Sequence, residues 1–445
     1  MAEVLARHVA PRARLTLALS GGLDSTVLLD VLAALRERHA FLLQAVHVHH
    51  GLSPHADDWA DFCVRLCAAH DVDLRVAHAI VPRDDQAGIE AAARRERQRI
   101  FAAQEADFLL TAHQQDDQAE TLLLQLLRGA GPKGLAAMPE VQRRPGWRAA
   151  LLRPLLGAGR AALRDYAAAR ALRWVEDESN AEVRYRRNAL RCEVMPALAR
   201  HFPGCAATLA RAATLQAEAA ALLDDLAQLD ARTAIADDRL DCEALSRLTP
   251  QRARNLLRHF VGRSGLPLPN ARVLEEALRQ LLGARHDARV RINLNPWELW
   301  RFRGGAYLVP PAPPPVGPVR WQGEATLWVP ACGVQVQFES VVGKGLKLGL
   351  LAGREVMLGA RQGGERLQLQ AGGPHHSLKK LLQEHAVPPW QRARLPLLWC
   401  DGHLAWVAGI GFDAALCAGP GEAGVSPRMV EARAGQDSTG LGMLS

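Results

Sequence analysis

The chain has no paired cysteines. Its eight cysteines are scattered and no C-x-x-C occurs, so the usual cradle for a transferable sulfur or an iron–sulfur cluster is missing. Cys63 and Cys67 with His70 come nearest to a ligand set. Their spacing is that of one apolar helix face, and they read as buried thiols of a reducing, cytoplasmic compartment. Long hydrophobic runs are absent too. After Arg7, Arg12 and Arg14 the apolar stretch extends only from Leu15 to Leu19, too short for a signal peptide, and no run is long enough to span a membrane. No internal repeat is found. Lysine is nearly missing, confined to Lys133, Lys344, Lys347, Lys379 and Lys380. The formal charge of +7 and the pI near 9.2 therefore rest on arginine, whose planar fork suits the phosphates of a polyanion such as RNA. An Ala/Arg-rich compositional bias would give the same charge.

Two familiar nucleotide loops are also absent. The glycine turn Ser20-Gly21-Gly22-Leu23-Asp24-Ser25 has neither the Gly-Lys-Ser/Thr ending of a Walker loop nor the G-x-G-x-x-G spacing of a dinucleotide fold. What is there is S-G-G-x-D-S, between a short buried strand, Leu15 to Leu19, and a helix beginning Thr26-Val27-Leu28-Leu29. Adjacent glycines let the backbone approach an anion, and the helix N-terminus behind them supplies free N–H groups. A phosphate chain fits such a turn, although capping by Ser20 or Ser25 is the ordinary structural alternative.

With 445 residues and 49% hydrophobic residues, two or three domains are affordable. Strand and helix alternate through residue 127: strands at 41–48, 74–80 and 108–111, helices at 57–70, 88–104 and 117–127. This rhythm predicts a Rossmann-like α/β fold with a parallel sheet covered on both faces and its functional groups at the strand ends. Beyond it the pattern predicts strong helix from about Arg187 to Leu229, helices around 244–263 and 271–282, and a hairpin through 289–292 and 299–308. The tract Pro310 to Pro318 reads as an extended linker. We expect domains at 1–227 (catalytic), 228–309 (mostly helical) and 319–417 (small α+β), with a disordered tail over 418–445.

At the end of the fourth strand, His113-Gln-Gln-Asp116-Asp117-Gln118-Ala119-Glu120 sets an imidazole and three carboxylates on the same sheet edge as the glycine turn. Such carboxylates hold Mg²⁺ or recognise a cationic substrate. Asp117 as N-cap with Glu120 three residues on would make a capping box, which explains that pair structurally and leaves Asp116 and His113 unexplained.

The glycine turn resembles the pyrophosphate-binding (PP) loop of the ATP pyrophosphatases. In order along the chain, S-G-G-L-D-S, H-H-G-L (49–52), G-I-E-A-A-A-R-R-E-R (88–97), H-Q-Q-D-D-Q-A-E-T (113–121), L-R-G-A-G (127–131), R-P-L (153–155), Asp177-Glu178-Ser179-Asn180 and Tyr185-Arg186-Arg187-Asn188 through Arg191 are similar to the tRNA(Ile)-lysidine synthetase family. Arg361 to Glu365, His376 to Leu382 and Pro388 to Pro396 resemble its C-terminal domain. Gln114, where the family often has a second histidine, and Gln98, where an aromatic is usual, depart from the pattern.

The resemblance implies a ligase that adenylates the wobble cytidine of an isoleucine tRNA with a CAU anticodon, using ATP and Mg²⁺, and joins free lysine to it. It implies that Ser20, Gly21, Gly22, Leu23, Asp24 and Ser25 bind the nucleotide, with Asp24 also the Mg²⁺ residue. Asp24, His113, Asp116, Asp117 and Glu120 would be catalytic, and Asp24, Asp117 and Glu120 would meet the lysine. Arg94, Arg97, Arg128, Arg186, Arg187, Arg191, Lys379, Lys380, Trp390 and Arg392 would contact the tRNA. Arg94 and Arg97 share a helix face with Glu90, so a salt-bridged surface is their bland reading, and Trp390 could equally be core. The same loop would serve a tRNA thiolase, which the missing C-x-x-C opposes. A catalytically idle RNA-binding module would not need the carboxylates. Oligomeric state is left open, with a homodimer among the options.

Overall fold

The computed structural model describes residues 1–82, 84–85, 88–176, 178, 186–265, 268–285, 288, 290–312 and 316–430. The chain divides into two compact units, Met1–Asp225 and Leu226–Ser445.

The first unit runs α1 Ala2–His8, β1 Arg14–Ala18, α2 Leu23–His39, β2 Leu42–His49, α3 Ala56–Ala69, β3 Asp73–His78, α4 Ile89–Ala102, β4 Phe108–Leu110, α5 Gln115–Leu126, α6 Pro132–Leu135, β5 Val141–Gln142, β6 Ala150–Leu152 and α7 Arg160–Ala169. Its sheet has the order β3-β2-β1-β4-β6-β5. The first five strands of that order pair in parallel, and only the edge strand β5 is antiparallel. Because β1 to β3 build outward on one side and β4 starts on the other, the order reverses beside β1, and a crevice opens at its carboxyl end. The glycine turn follows β1 directly. Leu15, Leu17 and Leu19 are buried with Leu28, Leu29 and Leu32 of α2, Leu110 and Leu152, which is why β1 reads as an unbroken apolar run.

Then come α8 Arg186–Ala189, a π turn Leu190–Val194, α9 Met195–His201 and α10 Cys205–Ala234. The expected helix from 187 is thus in pieces. Pro203 and Gly204, the latter at φ 78, end α9 and allow α10 to restart. Asp177, Ser179, Asn180 and Tyr185 lie outside the described residues.

The second unit begins with the antiparallel sheet β7-β8-β11-β10-β9, made of β7 Ile235–Ala236, β8 Arg239–Asp241, β9 Val290–Asn293, β10 Glu298–Phe302 and β11 Gly305–Val309. It shares a core with α11 Cys242–Ser246, α12 Pro250–Arg263 and α13 Ala271–Gly283. The stretch 299–308, expected as one strand, is a hairpin, because Arg303 and Gly304 both take positive φ in a two-residue turn. Pro250 at the first position of α12 likewise breaks the single helix expected over 244–263.

Residues 319–430 carry β12 Val319–Arg320, β13 Thr326–Val329, β14 Val334–Val342, β15 Leu346–Lys347, β16 Val356–Gly359, β17 Arg366–Leu367, β18 His376–Ser377, β19 Leu397–Cys400, β20 His403–Val407, β21 Gly411–Phe412 and β22 Ala423–Val430, which form two further sheets, β12-β16-β19-β20-β21 and β13-β14-β22-β15, and a two-stranded pair, β17-β18. The disordered tail expected from Ala418 is corrected over its first part. Ala423–Val430 forms β22, paired with β14 from Gln335 to Val342, because Val425 and Pro427 bury into the sheet core. Residues 431–445 lie outside the described residues.

Candidate active site

The glycine turn is held by its own side chains. Ser20 Oγ lies 3.0 Å from Ser25 Oγ, Ser25 Oγ donates to the Gly22 carbonyl at 3.0 Å, and the Val175 N–H donates to the Gly21 carbonyl at 3.0 Å. Gly21 is at φ +84, and a Cβ there would meet Val175 Cγ2 at 3.0 Å and Cys63 Sγ at 3.1 Å. No other residue type fits without strain. Gly22 is different, since a Cβ there would find its nearest neighbour, Ser20 Oγ, at 3.6 Å. Gly21 thus shapes the loop, while Gly22 keeps the loop surface bare. Leu23 points into the core, so only its backbone is available to a ligand.

Asp24 opens α2. Its Oδ1 is buried without a hydrogen-bond partner. Burial first, then the negative fields of Asp117 and Asp116, push its carboxyl up to about 6 against the pull of Arg160 and Arg191. A buried carboxylate oxygen with no donor suits a cation. Among the described residues no group of three or more His, Cys, Asp or Glu could hold a metal, so a Mg²⁺ here would take Asp24 with nucleotide phosphates, the usual mode for this ion.

The capping box of α5 is not the expected one. Gln114 is the N-cap, its Oε1 accepts from the Asp116 N–H at 2.6 Å, and Asp117 Oδ2 accepts from the Gln114 N–H at 3.0 Å. The departure from the family pattern at Gln114 therefore has a structural use. Glu120, freed from capping, is 2% exposed and wholly engaged with two guanidinium groups. Arg187 donates to Glu120 Oε2 at 3.0 Å and to Asp117 Oδ1 at 2.9 Å; Arg191 donates to Glu120 Oε1 at 2.7 Å and to Asp117 Oδ1 at 2.8 Å. Burial works to lower Arg191, and its bonds to Glu120 with the fields of Asp117 and Asp24 more than offset that, leaving its pKa raised. Arg187 and Arg191 stand four apart, at the entry to the π turn, a distortion that concentrates at functional sites. Expected as tRNA contacts, both instead close over the carboxylates.

Asp116 takes a third role, accepting from the Arg160 N–H at 3.1 Å at the start of α7. Arg160, which sequence reasoning missed, keeps a buried Nε without a partner. With Asp116, Glu120, Arg191, Met195 and Pro196 it lines a cavity of about 260 Å³. The available signal was its position at a helix start just beyond a strand end.

Two imidazoles stand near these carboxylates and arginines. His113 Nδ1 lies 2.8 Å from Thr111 Oγ1, and burial, with Arg153, Arg187 and Arg97 nearby, lowers its pKa to about 4 despite Asp117. The ring is neutral at pH 7. His50, lowered to about 4 by burial and by Arg97, is neutral as well. Arg94 and Arg97 are exposed on α4 and form no ion pair with Glu90 among the described residues, so the salt-bridged surface is not what is seen.

Arg128 and Arg186 are exposed in the first unit, Lys379 and Lys380 in the second. Trp390 is engaged by three rings, with centroids 5.0 Å from Tyr307, 5.6 Å from Trp300 and 5.9 Å from Phe302, and Arg392 Nε donates to the Val387 carbonyl at 2.8 Å. Both are turned into the fold. Cys63 and Cys67 are buried, and burial raises their thiols to about 12 and 11, as inert core cysteines require.

A family model described as PP-loop domain matches residues 1–198, one described as TilS substrate binding domain matches 240–307, and one described as TilS substrate C-terminal domain matches 356–430. A tRNA(Ile)-lysidine synthase of Azoarcus sp. (strain BH72) is 45% identical over 100% of this chain and 98% of its own. That of Nitrosomonas europaea is 43% identical over 92% and 90%. The chain belongs to the tRNA(Ile)-lysidine synthase family. Among solved structures a U34-tRNA thiolase of Methanococcus maripaludis with its [4Fe-4S] cluster is 18% identical, covering 48% of this chain and 76% of that one at a TM-score of 0.40, a likeness too small to support that alternative. Like its relatives in the lysidine synthase family, the chain is an enzyme with a PP-loop domain, and no helix among the described residues is long and apolar enough to cross a membrane.

Proposed function

We propose that this member of the family ligates lysine to C2 of the wobble cytidine of a CAU-anticodon isoleucine tRNA. The observation that carries this is the pair of binding chemistries beside one PP-loop. Carboxylates and arginines together, Asp116, Glu120, Arg160 and Arg191, line a cavity fit for a small zwitterion, and Arg94 and Arg97 of α4, exposed and without an ion pair among the described residues, suit a polyanion. The cytidine O2 attacks the α-phosphorus of ATP and pyrophosphate leaves. The ε-amine of lysine then attacks C2, the C2–O bond breaks, and AMP departs with the oxygen.

The loop N–H groups of Gly21, Gly22 and Leu23, with the hydroxyls of Ser20 and Ser25, would hold the leaving pyrophosphate. Asp24 would hold Mg²⁺, whose contribution is to offset the charge of the phosphates. Lysine, a zwitterion with an extra ammonium, matches the cavity beside Glu120. Its ammonium groups would meet Asp116, Asp117 and Glu120, its carboxylate Arg160 or Arg191, and its stem Met195 and Pro196. Two groups stand ready to take the proton that the amine must lose, the Asp24 carboxylate and the neutral His113 ring. Residues 1–227 would carry this chemistry, and residues 319–430, with Lys379 and Lys380 exposed, would hold tRNA.

The test is pyrophosphate and AMP release with the tRNA transcript, with and without lysine. Pyrophosphate should appear in both cases and AMP only with lysine. Lysine-independent release of both, or a demand for a sulfur donor, would overturn the reading.

A further inference from the structure

Four arginines of the first unit share a condition that the reaction above does not explain. Arg94 and Arg97 stand one turn apart on α4, Arg144 follows β5, and Arg153 ends β6. Among the described residues none of them is ion-paired. Arg153 is 3% exposed, donates only to the Pro139 carbonyl at 2.7 Å and the Gln142 amide oxygen at 2.9 Å, and keeps a buried Nε with no acceptor. Arg144 lies over the Trp147 ring at 4.8 Å and reaches the same Gln142 oxygen at 3.4 Å. Beyond the lowering that burial brings, Arg94 weighs on both Arg97 and Arg144, Arg144 weighs on Arg153, and the one carboxylate acting on Arg97, Arg144 or Arg153 is Glu90, on Arg97. Cations crowded together without acids are unfavourable in the free protein and become favourable when a polyanion supplies the missing charge.

We propose that Arg97, Arg94 and Arg144 form a track for successive backbone phosphates of the RNA substrate, running from the PP-loop crevice outward over α4 to the β5–β6 edge, with Arg153 as a fixed positive charge beneath it. The crevice end is set by Arg97, which acts on His50 and His113 beyond the ends of β2 and β4. The distal end is set by Arg144, whose guanidinium plane is pre-oriented by Trp147, favouring fork-like contact with a phosphate. One nucleotide would need converging donors. Cations spread over two elements fit a strand of phosphates instead. The proposal rests on the tRNA-modifying reading.

Arg144 stands apart from the catalytic groups, so the full-length Arg144→Ala and Arg144→Lys variants test the track. With a transcript of the CAU-anticodon tRNA, Arg144→Ala should raise the KM for tRNA about tenfold and reduce the slope of log affinity against log salt by about one. The KM for ATP, turnover at saturating tRNA and the melting temperature should stay at wild-type values. Arg144→Lys should restore the slope, because the charge returns, and only part of the affinity, because the fork does not. An unchanged tRNA KM and salt slope in Arg144→Ala, or a parallel fall in melting temperature and turnover, would overturn the track. Failure of the wild-type chain to release pyrophosphate on that tRNA would overturn the tRNA-modifying reading instead.

Discussion

The two halves of the crevice are built on opposite electrostatic plans. On the α5 side, Asp117 and Glu120 are buried, and Arg187 and Arg191 satisfy them. On α4 and at the β5–β6 edge, Arg94, Arg97, Arg144 and Arg153 have no acid paired to them among the described residues. The compensated half is complete by itself, so a cationic substrate enters by exchanging with an arginine already in place. The uncompensated half is completed only by a polyanion. A small substrate and a large one therefore meet different physics within one site: competition for the first, neutralisation for the second.

The glycine loop gives the largest effect. Gly21→Val should cost about 4 kcal/mol or more, because the positive φ strains any branched residue and the new side chain collides with Val175 and Cys63. Gly22→Val meets no such wall and should fold near normally while losing ATP turnover, its side chain taking the place of pyrophosphate. Melting temperature and ATP turnover measured together separate the two; equal destabilisation would mean that the bare surface at Gly22 serves folding rather than ligand.

Glu120→Gln comes next, at roughly 3–5 kcal/mol, because it leaves two half-buried guanidinium groups short of a charge. Denaturant unfolding should show the loss, and discharge of adenylated tRNA should require far more lysine. A stability cost under about 1 kcal/mol would mean that the arginine clamp is not compensating buried charge. Asp24→Asn should have the opposite sign. Its carboxyl is raised to about 6 in the fold from an ordinary 3.8, so the folded state binds the proton more tightly than the unfolded one. Above pH 6 the buried charge is a liability, and Asn should stabilise by about 2–3 kcal/mol. That gain should shrink between pH 6 and pH 4 and vanish below, which unfolding curves at several pH values would show.

The parallel sheet and the loop at its edge were legible in the sequence because both follow from local patterns, alternating apolar runs and two adjacent glycines. The carboxylate cluster was legible as a cluster. Its wiring was not, since whether Glu120 caps a helix or holds Arg187 and Arg191 depends on residues about seventy positions away and on Gln114 taking the cap. Trp390 reads from its neighbours Pro388 and Pro389 as an exposed recognition residue or as core, and the choice is made by rings on β10 and β11 that no local pattern can show. The strand β22 was missed because five glycines and prolines between Gly419 and Pro427 look disordered until β14 is there to pair with them.

The smallest effect is the one that sets the two halves apart most sharply. Arg97→Gln removes a cation from the uncompensated side, where Arg94 acts against it and only Glu90 acts for it. At high salt these exposed charges are screened, and the change in stability should stay within about 0.5 kcal/mol. At low salt the repulsion is felt, so the variant should melt at the wild-type temperature or slightly above it. Added tRNA should stabilise wild type more than the variant, because Arg97 contributes only once a phosphate is beside it. Glu120→Gln should be destabilised at every salt concentration. Melting curves of both variants across a salt series, with and without tRNA, therefore test the contrast directly. If Arg97→Gln loses stability at low salt as Glu120→Gln does, Arg97 has a counter-charge after all, and the two sides of the crevice are built alike.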